Sequence, residues 1–124
     1  NFIRSCRESN IRLKVISHKT HLAHHDPQKT NLRHAALEWM TRNGFFLNLG
    51  FKREDILFGG TREEKLSHIR SEQCNVFIDD LPEVLQDSQM PEECRTILFR
   101  GEPNPDLEQY SDWKSIGRAL NTLT

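Results

Sequence analysis

Apolar residues recur along this chain in short, well-separated groups, and the spacing inside each group predicts an element. Phe2, Ile3 and Cys6 stand at helical spacing, so the first residues read as a helix that Asn10 breaks. Ile11, Leu13, Val15 and Ile16 follow as a short β-type run ending at Ser17. The polar stretch 17–26 comes next, with His or Lys at five of its ten positions. Asp26-Pro27 suits a helix start, Asp as cap and Pro in the first helical position. Leu32, Ala35, Ala36, Trp39 and Met40 then fall on one helical face, and Asn43-Gly44 supplies a stop.

Ile56, Leu57 and Phe58 predict a second strand, closed by Gly59-Gly60. Thr61 and Glu64 match a capping box, opening a helix that carries Leu66 and Ile69 inward. The apolar run 75–78 is too short for a helix and reads as a buried strand ending on Asp79-Asp80. Pro82 begins a helix holding Val84 and Leu85. Thr96–Phe99 is the last expected strand. A loop with Pro103 and Pro105 leads to a final helix from about Ser111, with Trp113, Ile116 and Leu120 on one face. Trp39 and Trp113 are expected in the core. Strands and helices alternate, which argues for an α/β protein: a mostly parallel sheet with helices on both sides, a three-layer α/β/α arrangement.

Composition narrows the partners. The chain has 124 residues, enough for one domain, read here as 1–124. Seventeen basic residues face eighteen acidic ones, so net charge does not point to nucleic acid. No apolar run approaches a membrane span. Three separated cysteines with no C-x-x-C suit a reduced, cytoplasmic setting. A first residue of Asn, with a helix already under way at Phe2, suggests a fragment of a longer protein.

Ligands of open α/β sheets bind beyond the carboxyl ends of the strands, and three features lie at such places. Ser17 follows the first strand, where its hydroxyl and the backbone N–H groups of His18 and Lys19 suit a phosphate oxygen, or simply a turn. Lys65 falls in a first helical turn, where the dipole disfavours a cation unless an anion is near; otherwise it is a surface lysine. Asp79-Asp80, with Glu83 one turn on, offers carboxylates to Mg²⁺, while Asp80 also suits a helix cap before Pro82.

Taken in order, "IRLKVISHKT", "TREEKLSHI" and "CNVFIDDLPEVL" resemble the second, third and fourth motifs of the haloacid dehalogenase-like superfamily of phosphatases and phosphotransferases. The resemblance implies a Rossmann-like fold and Mg²⁺-dependent chemistry on a small phosphorylated substrate. It implies that Ser17 binds the phosphoryl group, that Lys65 neutralises charge, and that Asp79, Asp80 and Glu83 serve the metal. The family reaction uses an aspartyl nucleophile in a D-x-D motif after the first, central strand. This chain contains no D-x-D. The expectation is a domain lacking its first strand and catalytically incomplete as it stands, the missing motif belonging to the parent protein. Without that strand, the Ser17 and Asp79 strands must either pair directly or leave edges open. The alternative is a degenerate, non-enzymatic binding module. A receiver domain fits poorly, because its acids precede its lysine. A zinc site at His18, His21, His24 and His25 is a rival for the polar stretch, without a strong spacing motif.

Overall fold

Every strand pairing among the described residues is parallel. The computed structural model describes residues 2–18 and 32–121, with the backbone alone at His18. The elements run α1 (Phe2–Glu8), β1 (Val15–His18), α2 (Leu32–Arg42), β2 (Ile56–Gly59), α3 (Arg62–Ser71), β3 (Val76–Asp79), α4 (Pro82–Leu85), β4 (Arg95–Phe99), β5 (Glu108–Tyr110) and α5 (Trp113–Leu120). A 3-10 turn, Arg53–Asp55, leads into β2. The Asp26-Pro27 helix start, Lys19, His21, His24 and His25 lie outside the described residues.

The chain divides into two compact units, Arg12–His68 and Asn1–Ile11 with Ile69–Thr124. In the first unit β1 and β2 form a two-stranded sheet, Val15 opposite Ile56 through His18 opposite Gly59. This register corrects the expected first strand. Residues 11–14 form no strand, and Ser17 lies inside β1 rather than after it. The apolar pattern begins at Ile11, but β2 offers only the four partners Ile56–Gly59 to pair with. Lys14 Nζ sits 3.1 Å from Asp55 Oδ1.

The second unit holds a three-stranded sheet in the order β3-β4-β5. Val76, Ile78 and Ile97 point to one face, where Ile97, Ile116 and Leu120 are buried and Phe2, Phe99 and Tyr110 pack around them. That face therefore receives both α1 and α5. Phe77, Asp79 and Leu98 belong to the opposite face by the two-residue alternation of a strand. α4 contacts β3 and β4, burying Val84 and Leu85. Asp112 caps α5, accepting a hydrogen bond from Ser115 N at 2.7 Å.

The polar residues of β5 contain no apolar alternation, and the sequence reading has no strand there. Specific polar contacts hold it. Arg95 donates to both oxygens of Glu108, at 2.7 and 2.5 Å, and Tyr110 Oη donates to Glu108 Oε2 at 2.6 Å. The Gln109 amide donates to the carbonyls of Arg100 and Glu102, at 2.9 and 3.0 Å, and its Oε1 accepts from Asn104 N at 3.0 Å. This one side chain ties down the loop that returns the chain for a parallel pairing. Parallel neighbours usually need a longer crossover; here only the register Ile97–Phe99 opposite Glu108–Tyr110 has to be reached.

Three helices end in the same way. Asn10, Gly44 and Gln73 have φ of 60°, 76° and 53°. The residue after each donates back five positions: Ile11 to Cys6, Phe45 to Met40, and Cys74 to Ile69. These are Schellman ends, and Asn10 and Gly44 stop their helices as the sequence predicts.

The expected tryptophan burial needs correction. Trp39 is 53% exposed and Trp113 44% exposed. Trp113 stacks on Phe99 at 4.5 Å and meets Phe2 at 4.9 Å, while Trp39 stands edge-on to Phe45 at 5.6 Å. Both indoles pack against neighbouring rings and still keep a large part of their surface in water, as large indoles commonly do.

Candidate functional site

The carboxyl end of the β1/β2 pair is built by a strand–turn–helix sequence. Ser17 stands opposite Phe58 and His18 opposite Gly59. Gly60 and Thr61 then turn the chain into α3. Thr61 Oγ1 accepts from Glu64 N at 3.1 Å, the first half of the expected capping box, and Thr61 O accepts from Lys65 N at 3.1 Å.

Gly59 makes this turn possible. A Cβ there would lie 2.9 Å from Lys65 N and 3.2 Å from Glu64 Cβ. The missing side chain lets the first turn of α3 close onto the strand end, one register step from Ser17. From its place after the apolar run, Gly59 predicts only the end of a strand. A glycine directly between a strand and a helix is a signal for close backbone approach, and that signal was available.

Lys65 is the fourth residue of α3 and is buried, with 8% of its surface exposed. The surface-lysine alternative is therefore wrong. In the second unit Asp79 ends β3 and is buried at 9% exposure. Its Oδ1 accepts from Leu81 N at 3.0 Å, shaping the turn into α4. Asp80 and Glu83 are exposed. Asp80 is not the helix cap that the sequence also allowed: Leu81 holds that position without a side-chain cap, and Pro82 follows at the first helical position.

Lys65 and Asp79 are the only charged or polar side chains that are buried among the described residues. Burying a charge is costly, so most such groups stay in water. No three His, Cys, Asp or Glu side chains gather into a metal cage among the described residues. One buried carboxylate with a second beside it in sequence still suits a hard cation that keeps its waters, as Mg²⁺ does.

The fold and these residues define a mixed α/β protein with small parallel sheets, a buried lysine at a helix start and a buried aspartate at a strand end. Among the described residues no helix is long and apolar enough to cross a membrane. Comparison with protein-family models, with curated proteins and with solved structures returns no match for this chain.

Proposed function

We propose that this chain is a phosphate- and Mg²⁺-binding domain of the haloacid dehalogenase-like type, with a small phosphorylated compound as its ligand. The observation that carries the reading is the burial of Lys65 and Asp79, two residues singled out by the family resemblance. Ser17 and Lys65, with the backbone at His18 and Lys19, bind the phosphoryl group. Asp79, with Asp80 and Glu83, holds the metal. The location of Ser17 and Lys65 at the carboxyl end of the β1/β2 pair supports this assignment.

β1 and β3 are the strands that would flank the family's nucleophile strand. They belong to different sheets, and each has an edge without a strand partner among the described residues. The 124 residues contain no D-x-D, so the proposed role is binding without turnover. That absence equally favours a non-enzymatic, phosphatase-like binding module.

Proton–nitrogen correlation spectra of the isotope-labelled chain, titrated with inorganic phosphate, test the phosphate half. Phosphate should shift the amides around Ser17 and Lys65, and Lys65→Met should weaken binding about tenfold or more while Ser17→Ala has a smaller effect. Mn²⁺ standing in for Mg²⁺ should broaden the amides of Asp80 and Leu81, and Asp79→Asn should abolish that broadening. Equal phosphate affinity in Lys65→Met, or broadening that survives Asp79→Asn, would refute the corresponding half.

A further inference from the structure

Within the Arg12–His68 unit, an open cavity of about 460 Å³ borders β2. Its lining is one-sided in charge. Arg33 from α2 and Arg53 from the turn before β2 each hold a guanidinium 5.9 Å from the centre of the Phe58 ring. His34 and His68 add two imidazoles, Leu37 and the β2 residues supply apolar surface, and among the described residues no carboxylate lines the cavity. Glu38 is engaged with His34 at 3.0 Å outside that lining. Glu64 Oε1 and Arg33 Nη2 both approach Gly60, so one acidic group stands near the rim.

Two of the basic side chains are fixed by the strand itself. Arg53 Nη1 donates to Ile56 O at 2.8 Å. His68 Nε2 lies 3.0 Å from Phe58 O, and because a carbonyl only accepts, that nitrogen carries the proton. Ile56 and Phe58 are two residues apart, so both carbonyls point to the same edge of β2. Their side-chain caps cover backbone acceptors that an edge strand would otherwise leave to water.

A guanidinium over an aromatic ring still directs in-plane N–H groups to a carboxylate or phosphate, in a geometry that favours paired hydrogen bonds. Two of them around one phenyl ring frame a place for a negative group beside an apolar floor. The volume lies within the range of small-ligand sites.

We propose that this cavity binds a small organic anion, its carboxylate or phosphate held by Arg33 and Arg53 and its flat apolar body resting on the half-buried Leu37 and Leu57. The proposal makes no use of Ser17, Lys65 or Asp79, so it stands or falls separately from the phosphate and Mg²⁺ reading.

The test is a titration of the isotope-labelled 124-residue chain with naphthoate, with naphthalene methanol as the neutral analogue of the same ring. Naphthoate should shift the amides of Leu57 and Phe58 and bind at least about tenfold more tightly than the alcohol. Arg33→Gln should weaken naphthoate about tenfold and leave the alcohol unchanged. A measurement on the unaltered chain guards against a variant that fails to fold: raising salt from about 0.05 to about 0.5 M should weaken naphthoate alone. Equal binding of the two compounds, shifts confined to other regions, or naphthoate binding indifferent to both Arg33→Gln and salt would each overturn the proposal.

Discussion

Gly59 offers the sharpest test of how the first unit is assembled, because its neighbour Gly60 is a built-in control. In Gly59→Ala the new methyl would sit 2.9 Å from Lys65 N, 3.2 Å from Glu64 Cβ and 3.3 Å from Glu64 C. Two of those atoms are backbone, so no rotamer change relieves the contact. Gly59 is not among the positive-φ residues, so the effect is steric rather than conformational. Overpacking of this kind costs about 1–3 kcal/mol. Loss of a flexible glycine from the unfolded chain returns about 0.4–1 kcal/mol. The expected net loss is about 1–2 kcal/mol. In Gly60→Ala the methyl would meet Glu64 Oε1 at 3.5 Å and Arg33 Nη2 at 3.8 Å, both ordinary contacts with side-chain ends. That variant should be neutral or more stable by up to about 1 kcal/mol. The chain has two tryptophans, one in each unit, so a Trp113→Phe background leaves Trp39 as the reporter of the first unit. Urea denaturation followed by Trp39 emission gives both values. A Gly59→Ala variant as stable as Gly60→Ala would refute the close-approach argument. It would also remove the reason given for the placement of Lys65.

Three further outcomes follow from the second unit. Gln73 holds a left-handed φ of 53° at the end of α3, a conformation that costs a non-glycine residue about 1 kcal/mol; Gln73→Gly should raise stability by roughly that amount in urea melts read from Trp113, and a loss would contradict the assignment. Hydrogen bonds from Arg95, and then from Tyr110, hold the Glu108 carboxyl below its ordinary value of 4.5, with burial opposing them. Because the folded-state value is depressed, the stabilisation is present above pH 4.5 and lost as pH falls through the lowered value. Both partners remain partly solvated, so the contribution is about 1 kcal/mol, and Glu108→Gln should flatten the acid limb of a stability–pH curve; parallel limbs would exclude it. Burial pushes the Cys94 thiol up to about 11, with Cys74 and Glu93 adding to the rise, and burial also raises Cys6. Cys74, half-buried, should therefore be alkylated first at mildly alkaline pH, where roughly one Cys94 in a thousand is thiolate. Peptide mapping that finds Cys94 modified as fast as Cys74 would count against this order.

Local chemistry alone determined much of this protein. Asn10 and Gly44 end their helices because they tolerate a left-handed φ, Pro82 opens α4 because its missing N–H costs nothing there, and the short apolar run before Asp79 can only be a buried strand. Those features sufficed to mark Ser17, Lys65 and Asp79 and the alternation of strands and helices. The parallel pairings and mixed α/β class agree with that reading; the finer superfamily assignment rests on the proposal above. Tertiary structure decided the rest, because it depends on partners distant in sequence. The extent of β1 follows from the four residues β2 offers it. β5 exists because Arg95 and Phe99 give Glu108 and Tyr110 something to pair with, although the strand itself has no apolar pattern. Burial of Lys65 and exposure of Trp39 reverse what their types suggest, since a residue's surroundings are set by what packs on it. The basic cavity gathers Arg33 and His34 from α2, Arg53 from the turn before β2 and His68 from α3, a charge asymmetry invisible in a chain whose acidic and basic residues nearly balance.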